Sequence, residues 1–355
     1  MRLALKLAAK ASGNTSPNPL VGAVVLAGDT IVGSGFHAQA GADHAEAVAL
    51  REAGAAARGA TLYVTLEPCA HQGRTPPCVD AIVAAAPARV VVAIEDPDER
   101  VRGQGIKRLR DAGITIDVGV EAAAAFELNR RYLHHRRTHL PFLTLKMAQS
   151  LDGKIAPQPG QQLQLTGKRA LKLVRTLRFE HDAVMVGAGT IAVDDPQLTV
   201  RPAKKRAQPY LRIVADARGS VPLRARIFKE QSRARTIVLT TAQMPGTVRE
   251  ELQRREIKLL ECAADSTGRV DLHDALRRLG EMDVVSVLCE GGPTLAASLL
   301  QQRLVNELQW LIAPSALGAD AQAVLGMLPA QLGLRFDDVR RLGEDVAIRA
   351  RCAEA

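Results

Sequence analysis

Four residues with metal-binding or catalytic side chains lie at the starts of two predicted helices and at the end of one predicted strand. Their positions constrain the fold more than any other feature. His44 and Glu46 open a helical stretch, HAEAVALREAGAAA (44–57), and TLYVTLEP (61–68) has the pattern of a strand. Cys69 follows this strand at once, and Cys78 opens the next helical stretch after eight intervening residues. Together with the Val-rich run RVVVAIEDP (89–97), this alternation predicts a layered α/β unit.

One imidazole and two thiolates, from His44, Cys69 and Cys78, form a three-ligand zinc set whose fourth position is left to water. Zinc lowers the pKa of that water to about 7, so hydroxide is available at neutral pH. Glu46 lies two residues from a ligand and suits a proton carrier between the water and a departing amine, as in zinc deaminases. A buried histidine and two inert core cysteines are the alternative for each residue alone, but the ordered set favours zinc.

Two further segments suggest substrate contacts. The insert AHQGRTPP between the cysteines carries His71 and Arg74, which suit a phosphate or a polar base edge. In SPNPLVG (16–22), Asn18 lies between two prolines and offers both a donor and an acceptor to a pyrimidine. A solvated loop and an ordinary turn are the respective alternatives.

The second half offers two strand–glycine–helix junctions, at Gly187–Thr190 after AVMV and at Glu290–Thr294 after VVSVLC. Backbone N–H groups at such junctions bind phosphate, so the pair favours a dinucleotide, although the spacing is not a Rossmann fingerprint. Lys146, Arg178 and Arg201 could bind phosphate or be surface charges.

Composition narrows the class of protein. The 355 residues are 47% hydrophobic, 24% charged and 3% aromatic, with a net charge of +9, which favours small phosphorylated ligands over single-stranded nucleic acid. Five cysteines and no apolar run of about 18 residues predict a cytoplasmic protein without a membrane span. Core packing is the expected role of Cys262, Cys289 and Cys352.

The chain is expected to form two domains, 1–139 and 140–355. The basic stretch from Asn129 to Pro141 is interpreted as a solvated helix end and linker rather than a nucleic-acid patch. Near the N-terminus, Leu3, Leu7 and Ala11 recur every four residues, as residues on one face of a helix do, and predict a helix there.

Taken together, SPNPLVGAVV, HAEAVAL and TLEPCAHQGRTPPCVDAI resemble the deaminase domain of the bifunctional riboflavin-biosynthesis deaminase/reductases. LTLKMAQSLDGKIA, VGAGTIAVDDPQLTVR and CEGGPTLAASLL resemble the reductase domain of that family. The resemblance implies an α/β protein, with an N-terminal cytidine-deaminase-like α/β/α domain and a C-terminal dihydrofolate-reductase-like α/β domain. It also implies Zn²⁺, NADPH, a phosphoribosyl-pyrimidine substrate and a homo-oligomer, either a dimer or a tetramer.

The implied chemistry has two steps. A zinc-dependent deamination converts 2,5-diamino-6-ribosylamino-4(3H)-pyrimidinone 5′-phosphate into 5-amino-6-(5-phosphoribosylamino)uracil, and NADPH then reduces the ribosyl group to ribityl. Glu46 and Lys146 are the implied catalytic residues, with Thr166 also close to the ribose. Further implied substrate contacts are Asn18, His71, Arg74, Gln162, Arg178, Leu198, Arg201 and Glu290. The implied cofactor contacts are Ala148, Gln164, Thr190, Asp194, Gly292, Pro293, Thr294, Leu295, Ala296, Ala297 and Ser298.

The chain departs from the family at Gln164, where Trp is common, and at Gln162, where Ser is common. Two alternatives remain open at this stage. One is a nucleic-acid deaminase, acting on tRNA for example, with an accessory domain. The other is a zinc-binding module without catalysis, joined to a degenerate reductase domain.

Overall fold

The computed structural model describes residues 1–72, 76–99, 101–201, 206, 208–229, 231–232, 234–325 and 331–352. The chain separates into two compact units, Met1–His139 and Leu140–Ala355. Among the helices in these ranges, none has both the length and the apolar character that crossing a membrane requires.

The first unit is a five-stranded sheet with helices packed against it. Its strand order is β2-β1-β3-β4-β5, in which β1 pairs antiparallel with β2 and β3, while β3, β4 and β5 run parallel. The elements are α1 (Arg2–Ala9), β1 (Gly22–Ala27), β2 (Thr30–Phe36), α2 (Ala45–Ala53), β3 (Thr61–Val64), α3 (Cys78–Ala85), β4 (Arg89–Val92), α4 (Gln104–Asp111), β5 (Thr115–Val118) and α5 (Ala122–Thr138).

Small residues bring α2 very close to the sheet. A Cβ atom added at Gly33 would lie 2.2 Å from the carbonyl oxygen of Ala49, and one at Gly35 would lie 2.6 Å from that of Ala45. Because both glycines lie in β2, they fix the depth of α2, whose N-cap is His44. Glycine in this strand therefore positions the start of the helix.

The helix predicted near the N-terminus is confirmed by α1, but Leu3 and Leu7 do not form its buried face. The buried face of α1 consists of Ala4, Ala8 and, just after the helix, Ala11, whereas Leu3 is 41% exposed. The backbone of Ala4 lies against Gly22, so only small side chains fit between the helix and β1.

The basic stretch 129–141 is the end of a helix, as interpreted from the sequence, but most of it is not solvated. Helix α5 continues to Thr138 and buries Asn129, Tyr132, Leu133 and His135. The Asn129 amide exchanges two hydrogen bonds with the backbone of Leu20, at 2.8 and 2.9 Å. The exposed charges that suggested a linker occupy only part of the helix surface.

The second unit contains a nine-stranded sheet in the order β11-β10-β9-β8-β12-β6-β13-β16-β15. The strands from β11 to β13 run parallel, and β16 and β15 add antiparallel strands at one edge. The strands are β6 (Phe142–Ser150), β7 (Lys154–Ala156), β8 (Ala183–Gly187), β9 (Tyr210–Ala215), β10 (Ala234–Thr240), β11 (Lys258–Glu261), β12 (Ser286–Cys289), β13 (Glu307–Ala313), β14 (Gln322–Ala323), β15 (Leu334–Leu342) and β16 (Asp345–Cys352). The helices are α6 (Lys168–Glu180), α7 (Ala188–Asp194), α8 (Gly246–Arg254), α9 (Leu272–Gly280) and α10 (Pro293–Gln301).

The core of this unit is made mostly of aliphatic residues from the central strands. Cys262 and Cys289 are buried in it, and Cys352 packs against it, as the sequence predicted. Because neighbouring strands run parallel, the loops that follow them meet at one edge of the sheet, where ligands bind in open α/β folds.

Candidate active sites

The three predicted zinc ligands meet in the first unit. His44, Cys69 and Cys78 offer ligand atoms that all lie within 4.8 Å of one another. His44 Nδ1 is 3.0 Å from Cys78 Sγ and 3.6 Å from Cys69 Sγ. His44 precedes α2, Cys78 opens α3, and Cys69 lies in the segment after β3. The backbone N–H of Cys78 donates to Cys69 Sγ at 3.3 Å, which favours a thiolate there.

The electrostatics of these residues fit a metal site. A hydrogen bond from the Cys78 thiol is the main cause that lowers the pKa of Cys69 to about 4. Thiolate sulfur and imidazole nitrogen are the donors that zinc prefers, and three protein ligands leave a position for water. The donor set therefore fits a catalytic zinc ion.

Glu46 lies beside the ligands, in the first turn of α2, and is 3% exposed. Burial is the main cause that raises its pKa, because the charged carboxylate loses water. A carboxyl group of this kind holds a proton more readily than one in water, which suits a group that must both take up and release one.

The predicted substrate residues of this unit are placed only in part. Asn18 Nδ2 lies 3.1 Å from Nε2 of His37, and the ring of His37 contacts that of His44 edge-on at 5.4 Å between centroids. The Nδ1 atom of His71 is buried, with no hydrogen-bond partner among the described residues. Arg74 lies outside the described residues.

The sequence analysis missed His37, which is 3% exposed. Its Nδ1 atom lies 3.1 Å from the carbonyl oxygen of Asp43, and burial is the main cause that lowers its pKa. A single histidine just after a predicted strand gave no pattern that could have singled it out. His37 therefore contacts both Asn18 and the predicted zinc ligand His44.

The second unit holds a cleft of about 910 Å³ at the carboxyl edge of its parallel strands. Both predicted glycine junctions line it, and they are joined directly, because the N–H of Gly292 donates to Thr190 Oγ1 at 3.1 Å. A Cβ atom at Gly189 would meet no atom within 4 Å, so the backbone there is open to a ligand. Helix α10 starts at the cleft with Pro293, which fits a phosphate at a helix N-terminus. These features fit a dinucleotide such as NADPH.

Three charged residues meet in and beside this cleft. Arg178 and Glu290 form a two-pronged ion pair, at 2.6 and 3.0 Å, and their side chains are only 20% and 9% exposed. Burial is the main cause that lowers the pKa of Lys146, with Arg178 adding to the shift and Glu290 opposing it. Arg178 is thus already paired, whereas the sequence analysis considered it as a phosphate ligand.

The structure brings some of the predicted reductase residues together and leaves others apart. Those that line the cleft are Lys146, Ala148, Gln162, Thr190, Asp194, Glu290, Gly292, Pro293, Thr294, Leu295 and Ser298. The described lining does not include Gln164, Thr166, Arg178, Leu198, Arg201, Ala296 or Ala297. Leu198 belongs to the core, and Arg201 is exposed and bonded to Thr199 and Gln197.

The sequence analysis also missed part of this lining. Arg218 follows β9 and Arg269 follows β11, and both line the cleft with exposed side chains. The signal was available in principle, because the carboxyl ends of parallel strands share one edge. It required the strand order, which the sequence did not provide.

Known families match both units. Residues 1–94 match the cytidine and deoxycytidylate deaminase zinc-binding region, and residues 141–348 match the RibD C-terminal domain. The riboflavin biosynthesis protein RibD of Aquifex aeolicus is 42% identical over 351 residues, which cover 98% of this chain and 96% of the relative. RibD of Escherichia coli is 39% identical, with 98% and 97% covered.

Two solved structures of RibD proteins also match nearly the whole chain. Acinetobacter baumannii RibD has a TM-score of 0.89 at 37% identity, covering 99% of this chain and 98% of that one. The diaminohydroxyphosphoribosylaminopyrimidine deaminase/5-amino-6-(5-phosphoribosylamino)uracil reductase of Thermotoga maritima has a TM-score of 0.85 at 31% identity, covering 99% and 97%. Fold and sites define an enzyme that combines a zinc deaminase with an NADPH-dependent reductase. The chain belongs to the RibD family of riboflavin-biosynthesis proteins.

Proposed function

We propose that this chain carries out two consecutive steps of riboflavin biosynthesis, with deamination in residues 1–139 and reduction in residues 140–355. The pairing of a zinc ligand set with a dinucleotide cleft in one RibD-family chain is the observation that supports this assignment. The substrate is 2,5-diamino-6-ribosylamino-4(3H)-pyrimidinone 5′-phosphate. When bound, zinc supplies a Lewis acid that activates water, and NADPH supplies a hydride.

In the deamination step, His44, Cys69 and Cys78 hold the metal. The Glu46 carboxylate takes a proton from the attacking water and passes it to the departing amine nitrogen, so that ammonia leaves. Asn18 and His71 orient the pyrimidine, and Arg74 binds the phosphate. The unpartnered Nδ1 atom of His71 supports this role, because a buried polar atom requires a partner.

In the reduction step, the cleft would hold NADPH together with the ribosyl substrate, and the cofactor would supply the hydride. The Lys146 ammonium supplies a proton to the ring oxygen as the sugar opens, and Glu290 favours the charged form of that lysine. Arg178 fixes the Glu290 carboxylate, while Thr190, Asp194, the segment Gly292–Leu295 and Ser298 bind the cofactor. Gln162 is proposed as a contact of the substrate because it lines the cleft, whereas the geometry gives no support to the contacts expected for Leu198 and Arg201.

The proposal is tested by measuring the two steps separately. Ammonia release is followed with the diamino substrate, and NADPH oxidation is followed with substrate that has already been deaminated. Glu46→Gln is expected to lower ammonia release by about 10²–10⁴-fold while zinc content and NADPH oxidation stay unchanged. Survival of ammonia release, or loss of both steps together, would contradict the assignment.

The cellular location and the assembly of the enzyme are also proposed. We infer a cytoplasmic enzyme, since all five cysteines are free. We also infer a homo-oligomer, because Leu334, Phe336 and Val339 expose apolar side chains on the edge strand β15. A nucleic-acid substrate is not favoured, because the match to RibD relatives includes the whole second unit.

A further inference from the structure

The carboxylate of Glu67 is buried immediately before the Pro68–Cys69 segment and is 4% exposed. It accepts three backbone N–H groups from a distant part of the first unit. Oε2 accepts from Asp96 at 3.3 Å and from Gly103 at 3.0 Å, and Oε1 accepts from Ile106 at 3.2 Å. The Glu67 side chain therefore connects the Pro68–Cys69 segment to the backbone of Asp96, Gly103 and Ile106.

The Glu67 carboxylate suits its location beside a helix N-terminus. Ile106 lies in the first turn of α4, where backbone N–H groups have no acceptor within the helix. The helix dipole adds to the attraction, because its positive end faces the carboxylate. An amide side chain would replace one of the two acceptor oxygens with a donor, so at least one of these buried N–H groups would lose its partner.

The packing beside Glu67 is equally close. A Cβ atom at Gly105 would lie 2.0 Å from the carbonyl oxygen of Pro68 and 3.2 Å from Oε1 of Glu67. The backbone N–H of Glu67 also donates to the carbonyl oxygen of Ile94 at 3.0 Å. The residues before Cys69 are thus held against both the end of β4 and the start of α4.

We propose that Glu67 is a positioning residue that fixes the backbone of Cys69, so that the Cys69 thiolate faces His44 and Cys78 before zinc binds. Glu67 does not touch the metal and acts only through the segment that carries the ligand. Outer residues that orient metal ligands affect the affinity for the metal, because they remove the cost of arranging those ligands. The inference rests on the proposed function in that it takes Cys69 to be a zinc ligand.

The test measures zinc affinity in the full chain by competition with a chromophoric chelator. Glu67→Gln is expected to weaken zinc binding by about 10–100-fold. The matched control is Glu95→Gln, an exposed carboxylate in the neighbouring loop, which should bind zinc like the wild type. NADPH oxidation with deaminated substrate should stay unchanged in both. A Glu67→Gln variant that folds and binds zinc within twofold of the wild type would overturn the proposal.

A second readout separates positioning from general stabilisation. Zinc raises the unfolding temperature of the first unit according to its affinity for the folded state. Positioning predicts a smaller rise in Glu67→Gln, whereas a merely structural role lowers the unfolding temperature equally with and without zinc. If Glu67→Gln does not fold, Gly105→Ala tests the same contact from α4 and should also weaken zinc binding. Failure of both variants to fold would contradict positioning and indicate support of the whole unit. Wild-type ammonia release, measured alongside, tests the proposed function independently.

Discussion

The two units carry their chemistry in different ways. In the first unit, the predicted zinc ligands and Glu46 lie between residues 44 and 78, and their side chains are the groups proposed to bind the metal and to react. In the second unit, the cleft is lined by residues from Lys146 to Gln322, and many of the lining residues lie at strand ends and glycine junctions. Side chains that bind a metal must keep a fixed spacing, whereas a cofactor that brings its own reactivity requires mainly a shaped and polarised cleft. The first site should therefore be sensitive to each of its single groups, whereas the second, apart from the proposed proton donor Lys146, should be sensitive mainly to its overall shape.

Removal of the metal should produce the largest difference between the activities of the two units. Treatment with a chelator is expected to abolish ammonia release, by more than about 100-fold, because water loses its activation. NADPH oxidation with deaminated substrate should be unaffected, and added Zn²⁺ should restore the first activity. Loss of both activities on chelation would mean that the two sites depend on one metal.

Lys146→Ala tests whether the second site also depends on a single side chain. We expect NADPH oxidation to fall by about 10²-fold, because the proton donor at the ribose is lost. Ammonia release should be unchanged. Lys172→Ala, an exposed lysine on α6, is the matched control. Unchanged turnover in Lys146→Ala would leave the cleft as a binding surface with no catalytic lysine.

The ion pair beside the cleft allows a third test. Arg178→Ala leaves the Glu290 carboxylate buried without its cation, and we expect the free energy of unfolding of the second unit to fall by about 3 kcal/mol. Trp310, in β13, is the one tryptophan of the chain, so its fluorescence reports on this unit. Arg175→Ala, which changes an exposed arginine of α6, should leave the denaturation midpoint in place. An equal midpoint for both variants would contradict the role of the pair.

The same difference between the units explains what the sequence could predict. The alternating elements, the positions of most strands and helices and the zinc ligand set could be predicted, because periodicity and motif spacing are local properties. His37 and Glu67 could not, because their roles depend on contacts with Asn18 and with residues 96–106 that only the fold brings together. Arg218 and Arg269 were missed for the same reason, since the strand order decides which loops share an edge.

Helices α5 and α1 show what patterns of charge and hydrophobicity leave out. Charge suggested a solvated helix end and linker at 129–141, but α5 buries several residues of this stretch. In α1 the buried residues are Ala4 and Ala8, whereas the larger Leu3 is exposed. Where two backbones approach as closely as Ala4 and Gly22, the buried positions belong to the smallest residues. A hydrophobicity pattern does not contain that information.

Close packing in the first unit supplies the fourth prediction. Gly33→Ala should lower the stability of this unit by about 1–3 kcal/mol, because the new methyl group would displace α2 from β2. Ammonia release should then be lost at a lower urea concentration than in the wild type. NADPH oxidation and Trp310 fluorescence should keep their wild-type midpoints. If the urea midpoints of NADPH oxidation and Trp310 fluorescence shifted by the same amount, the two units would unfold together.

The smallest effect is expected at Gln164, one of the two positions where the family resemblance implied a departure. The Gln164 side chain is exposed, does not belong to the described lining of the cleft, and donates to the nearby carbonyl oxygen of Thr166 at 2.9 Å. Gln164→Ala should therefore change the KM for NADPH by less than about threefold. Gln162→Ala should have the larger effect, because Gln162 lines the cleft and bonds to the carbonyl oxygen of Val193. A tenfold rise in KM for Gln164→Ala would mean that this segment closes onto the cofactor, and the second site would then depend on single side chains as the first one does.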